Sequence, residues 1–191
     1  NESGIESMSL TGCRNCVHLI NNKKRKSCCN GNPVPLTIED YRRIESLVFS
    51  DFVEVREYSS AEVNDPILPQ WCRESFILIN GKYYEINTRK NKEGICTFLK
   101  HGKGCVLGKN RPYICCLYPL WILADGSIDY VDDECQMHME NYPIKQVIEE
   151  IGETEEEIRL FYDKIKEDSI SNKKEHEKII KSFLKKRRII S

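Results

Sequence analysis

Apolar side chains recur along this chain with two different periods, and the switch between them falls near Tyr142. In the first part, Ile38, Tyr41, Ile44, Leu47 and Val48 keep a helical spacing behind Thr37 and Asp40, which stand three apart as in a capping box. A helix over residues 38–49 is predicted. Residues 52–58 alternate as a strand does. Residues 76–79 and 82–86 flank Asn80-Gly81, which predicts a hairpin with a type I′ turn, and 121–124 with 127–131 around Asp125-Gly126 predicts a second. Past Tyr142 only the helical period remains. Ile144, Val147, Ile148 and Ile151 make one apolar stripe, while Thr154 and Glu157 open a helix carrying Ile158, Phe161, Tyr162 and Ile165. A third helix is predicted over 172–188. The fold class expected is α+β: a small, loop-rich, cysteine-bearing body with β-hairpins over 1–142, and a C-terminal helical segment over 143–191 that packs on it.

Composition narrows the function classes without choosing one. Lysine and arginine number 29 against 30 acidic residues, and a net charge of −1 gives no global attraction to nucleic acid or anionic lipid. The basic runs Lys23 to Lys26 and Lys185 to Arg188 are read as solvated faces, the second beside the apolar positions Ile179, Ile180, Phe183 and Leu184. Either run offers a docking surface for an acidic protein or peptide partner; no nucleic acid and no membrane partner is expected. No stretch approaches the roughly 20 apolar residues that span a bilayer, and residues 1–10 carry no secretory pattern. A soluble, cytoplasmic protein is therefore expected. No H-E-x-x-H, G-x-S-x-G or Walker loop occurs, which disfavours a zinc protease, an α/β-hydrolase and a P-loop NTPase.

The ten cysteines change the picture most. Cys13, Cys16, Cys28 and Cys29 form one block, Cys96, Cys105, Cys115 and Cys116 another, and Cys72 and Cys135 stand apart. An even number of cysteines also fits a disulfide framework. Close pairs such as Cys13/Cys16 and a chain of 191 residues, long enough to need no staples, favour a metal instead. Cys13-x2-Cys16 lets two thiolates reach one metal from a tight turn. Adjacent side chains in extended backbone point to opposite sides, so Cys28/Cys29 and Cys115/Cys116 are poor joint ligands for a single ion. Cys72, following Trp71, reads as a small buried hydrophobe, and Tyr118, Pro119 and Trp121 read as packing around the site.

Cys13-x2-Cys16 leading to Cys28-Cys29, Pro33-Val34-Pro35-Leu36-Thr37 and Glu39 resembles the opening of the YkgJ family, the zinc- or iron-chelating CxxCxxCC domain. Cys96-Thr97-Phe98-Leu99, then Cys105, then Arg111-Pro112-Tyr113-Ile114-Cys115 and Tyr118-Pro119, is similar to that family's second block in order and spacing. The resemblance spans about residues 10–135. Two departures stand out: Val17 to Ser27 separates Cys16 from the CC pair, and Cys116 stands where the family commonly has arginine. The resemblance implies a thiolate-bound metal or iron–sulfur centre and, through its usual further cysteine, makes Cys135 a ligand. The expected ligands are Cys13, Cys16, Cys28, Cys29, Cys96, Cys105, Cys115 and Cys135, enough for two sites of four. One or two [4Fe–4S] clusters are expected, with zinc as the alternative, because the gaps of nine and ten between Cys96, Cys105 and Cys115 are unlike zinc-ribbon knuckles. A redox or cluster-dependent role follows from the first and a structural or interaction module from the second. Some relatives are flagellin lysine N-methylases that use S-adenosylmethionine, but no glycine-rich loop for that cofactor is visible, and whether this chain is an enzyme stays open. Arg111 is expected near the centre, bonding carbonyls or neutralising the thiolates. His138, one turn from Cys135, is expected behind the ligands or facing solvent.

Overall fold

The computed structural model describes residues 29–48, 51–66, 68–100, 104–133 and 135–187. It is an α+β structure assembled around two hydrophobic clusters.

Helix α1 (Ile38–Leu47) starts where predicted, with Thr37 accepting from the Asp40 N–H and Asp40 accepting from the Thr37 N–H. Strand β1 (Val53–Tyr58) follows, then α2 (Ser60–Val63), capped the same way by Ser59 and Glu62, and α3 (Gln70–Ser75). Strands β2 (Ile77–Ile79) and β3 (Lys82–Thr88) form the first hairpin, and β1 joins its far side to give an antiparallel sheet in the order β1-β3-β2. Asn80 (φ 51°) and Gly81 (φ 79°) both take positive φ, which the type I′ turn requires. The register pairs Ile77 with Tyr84 and Val53 with Thr88, so Val53, Ile77, Ile79, Tyr84 and Ile86 are all buried.

Short paired segments β4 (Leu99–Lys100) and β5 (Gly104–Cys105) lead through a 3-10 turn at Gly108–Asn110 into α4 (Tyr113–Leu117). The second hairpin pairs β6 (Leu120–Ile122) with β7 (Ile128–Tyr130). Its turn differs from the two-residue type I′ form expected. The Gly126 N–H donates to the Leu123 carbonyl and the Leu123 N–H to the Ser127 carbonyl, so three residues make the loop. Only Gly126 takes positive φ there (84°), and Asp125 instead turns its carboxylate onto the Ser127 N–H and hydroxyl. An aspartate that caps its own turn in this way has no need of the left-handed region.

Helices α5 (Gln136–Met139), α6 (Ile144–Ile151), α7 (Glu155–Ser171) and α8 (Lys173–Lys186) complete the described chain. Gly152 (φ 78°) ends α6 in the left-handed conformation, its N–H bonding back into the last turn, and the Thr154/Glu157 capping box restarts the chain as α7. One cluster joins the sheet and α1 to Ile180 and Leu184 of α8; the other joins Leu117, Leu120, Cys135 and Met137 to Val147, Ile148, Ile151 and Ile158. Each cluster thus draws residues from both sides of position 142. Burying Ile180 and Leu184, at 0% and 3% exposure, contributes about 1.5–3 kcal/mol apiece. Among the described residues no helix is long and apolar enough to cross a membrane.

Candidate metal centre

Four cysteines from four separate segments meet beside the first cluster. Cys29 arrives on a strand-like stretch that bridges to Ile95: the Cys96 N–H donates to the Cys29 carbonyl at 2.8 Å, and the Gly31 N–H to the Gly94 carbonyl at 3.1 Å. Gly94, at φ 79°, turns the partner stretch back so that Cys96 lies alongside. The Leu99 N–H closes a turn onto the Cys96 carbonyl, and Leu99 then pairs with Cys105 across β4 and β5. Cys115 comes from α4, whose first turn is set by Pro112: its carbonyl accepts from the Cys115 and Cys116 N–H groups at 2.8 and 3.1 Å.

Burial comes first among the causes that push the Cys96 thiol up, and the neighbouring Cys29 adds to it. Cys105 is pushed up to about 11, again by burial and then by Cys29 and Cys96. For Cys115 burial raises the pKa well above the ordinary thiol value, and Cys29, Cys105, Cys96 and Cys116 all raise it further. The four thiols therefore act on one another as a set. Left alone in this desolvated place they hold their protons, since each ionisation makes the next harder. A cationic centre reverses that balance, because thiolates bound to metal are deprotonated outright. The donor set is all sulfur, which suits soft metals and iron–sulfur clusters. This is electrostatic reach, a looser relation than ligation: among the described residues no three His, Cys, Asp or Glu side chains stand close enough to hold a single ion. Nor are any two of the seven described cysteines joined as a disulfide.

Arg111 braces the base of α4. Its guanidinium donates to Cys116 Sγ at 3.3 Å, to the Ile151 carbonyl at 2.8 Å and to Glu153 at 2.7 Å, and its charge pulls down the pKa of Cys105 against the effect of burial. The Arg111–Glu153 pair is nearly enclosed, at 13% and 11% side-chain exposure. Cys116 is consequently turned toward Arg111 and buried, its pKa pushed to about 11 by burial.

Asp40 has a role that the sequence did not disclose. Fully buried, it caps α1, pairs with Arg43 and also accepts from the Tyr113 N–H at 3.2 Å, which ties α1 to the start of α4, two residues before Cys115. Arg43 continues the tie by donating to the Arg111 carbonyl at 3.0 Å. The Thr37/Asp40 spacing was a visible signal for the cap; the bond to Tyr113 spans 73 residues and left no local trace. Glu153 was missed for the same reason.

The remaining expected ligands divide. Cys13, Cys16 and Cys28 lie outside the described residues. Cys135 is buried in the second cluster, near Tyr130, and is absent from the main influences on Cys96, Cys105 and Cys115. His138 stacks on Tyr130 with ring centroids 4.4 Å apart and faces the Asp132 carbonyl. Cys72 sits on α3, its thiol pushed up to about 12 by burial and then by Glu85. Tyr118 and Trp121 line a small cavity of about 90 Å³ that Cys115 also borders, and the Tyr118 hydroxyl bonds Asp132.

A loop-rich α+β body that gathers half-buried thiols from distant segments defines a cysteine-cluster metal-binding protein. Comparison with protein families makes this specific: residues 11–136 match the model described as "CxxCxxCC: Putative zinc- or iron-chelating domain", and the chain belongs to that family. Comparison with the curated proteins and with the solved structures gave no match.

Proposed function

We propose that the chain is an iron–sulfur protein in which Cys29, Cys96, Cys105 and Cys115 ligate a [4Fe–4S] cluster. The carrying observation is the action of these four thiols on one another, brought together from segments up to 86 positions apart, with no histidine or carboxylate among the main influences on Cys96, Cys105 and Cys115. When bound, such a cluster supplies one-electron chemistry at a potential set by charge, hydrogen bonding and exposure. The chain's own residues supply those settings. The Arg111 charge acts on Cys105 and lowers the cost of collecting thiolates, and the Asp40 tether fixes where α4 presents Cys115. Burial of the thiols keeps the surrounding dielectric low, which strengthens both effects. The other expected ligands, Cys13, Cys16, Cys28 and Cys135, make up a second set of four. If the metal is zinc, the same thiolates serve a structural or interaction module.

Protein purified without oxygen is expected to contain iron and acid-labile sulfide in near-equal amounts, with a broad visible absorption that bleaches on reduction. Replacing Cys96, Cys105 or Cys115 by serine should each remove one centre's worth of metal. Cys135→Ser should remove the other centre's share and leave the first, while Cys72→Ser should leave metal content intact. Zinc with no sulfide and no colour would refute the cluster; unchanged stoichiometry in the Cys96, Cys105 and Cys115 variants would refute the ligand set.

A further inference from the structure

Adjoining the Cys115 cavity, with which it shares Ile114 and Trp121, lies a larger cavity of about 620 Å³. Its volume is that of a small-molecule site. The walls are mostly apolar. Trp71 of α3 and Trp121 of β6 stack there with ring centroids 6.0 Å apart, and Phe76, Ile77 and Leu68 extend the surface.

The charges on this wall are unequal: four carboxylates, Glu62, Asp65, Glu85 and Asp168, face one guanidinium, Arg56, and one imidazole, His176. Both groups are already engaged. Arg56 pairs with Glu62 at 3.2 Å, and His176 with Asp168 at 2.5 Å. Glu62 and Asp168 are further occupied as caps of the Ser59 and Ile38 backbone N–H groups. Glu85 is different. It is half-buried and accepts from two neutral donors, the Tyr58 hydroxyl at 2.8 Å and the Asn87 amide at 3.3 Å; Arg56 and His176 act on it only through space, and it forms no direct ion pair among the described residues. A half-buried carboxylate with only neutral direct partners gains from a cation that completes it. Burial raises its pKa, the response expected of an acid in that position.

We propose that this cavity binds a small organic ammonium compound, its cationic head paired with Glu85 and its apolar or aromatic body laid against Trp71, Phe76 and Ile77. The ammonium makes a direct ion pair with Glu85, which Arg56 and His176 reach only through space, and the aromatic walls favour a cation bearing apolar substituents. Anions are repelled by the acid excess. A neutral analogue gains the apolar contact without the ion pair. The inference stands independently of the metal, because none of Cys29, Cys96, Cys105 and Cys115 lines this cavity.

The chain has two tryptophans and both line this cavity, so its own fluorescence reports occupancy. The test titrates the full chain with phenethylamine, with phenethyl alcohol as the neutral counterpart and 3-phenylpropionate as the anionic one. A saturable change with the amine is expected, with binding at least tenfold weaker for the alcohol and no saturation with the acid. Glu85→Gln should bring the amine down to the level of the alcohol, and Cys105→Ser, which is expected to lose metal, should leave amine binding unchanged. Should Glu85→Gln fail to fold, Ser75→Phe narrows the cavity without touching the carboxylate and should abolish the amine response. No saturable response to the amine, equal affinity for amine and alcohol, or undiminished amine binding in Glu85→Gln or Ser75→Phe would overturn the proposal.

Discussion

A buried carboxylate that accepts several hydrogen bonds at once holds more structure than its size indicates, and Asp40 is the case in this molecule. Burial raises its pKa to about 6, against the opposing pull of Arg43 and of the Thr37 and Tyr113 donors. Its folded pKa thus lies above the unfolded value near 3.8, so the stability it contributes is fully present below about pH 4 and is lost as pH rises through 6. Two pKa units correspond to about 3 kcal/mol. The stability difference between wild type and Asp40→Asn, followed by urea unfolding, should therefore move against the wild type by about that amount between pH 4 and pH 7; a flat difference would show that Asp40 titrates normally. Asp40→Ala removes the cap as well and leaves the Thr37 and Tyr113 N–H groups without their acceptor, which should cost about 3 kcal/mol or more at any pH.

At the scale of elements, α4 carries Cys115 yet has too few residues to hold its own shape. Five residues make barely more than one turn, below the length at which a helix persists alone. Its position comes from outside: Asp40 at its start, Pro112 in its first turn, and Arg111 pinning its base to Ile151 and Glu153 at the end of α6. Arg111→Lys keeps the charge but loses the planar fork that serves these partners together. It should destabilise the fold by about 2 kcal/mol, since Glu153 is left buried beside a poorer partner. It should also lower metal retention under chelator, and chelation rates equal to wild type would show that Arg111 does not support the centre. The two hairpins make the complementary point. Asn80-Gly81 and Asp125-Gly126 are equivalent as written signals, but they folded into different turns because the Asp125 carboxylate found donors in Ser127.

For the whole molecule, the decisive feature is that both hydrophobic clusters cross from the cysteine-bearing part into the C-terminal helices. The family match ends at residue 136, yet Ile180 of α8 is fully buried against the sheet. Ile180→Ala should cost about 2–5 kcal/mol, the range for truncating a buried isoleucine. It should shift far-ultraviolet and near-ultraviolet circular dichroism melts together, because one cooperative unit is disturbed. Loss of helix signal ahead of the tertiary signal would show that α8 is an independent appendage.

What the sequence determined by itself is what local chemistry encodes. Period, capping boxes and Asn-Gly placed α1, the first hairpin and the three C-terminal helices, and cysteine order and spacing identified the family. Such signals act over a few residues and survive in the chain as written. Tertiary structure alone decided which distant groups meet. It brought Cys29 beside Cys96 through a single backbone bridge, carried Asp40 to Tyr113 across 73 positions, and turned Glu85 onto a cavity wall beside Arg56 and His176. Contacts of that kind depend on how whole elements pack, and no local pattern records them.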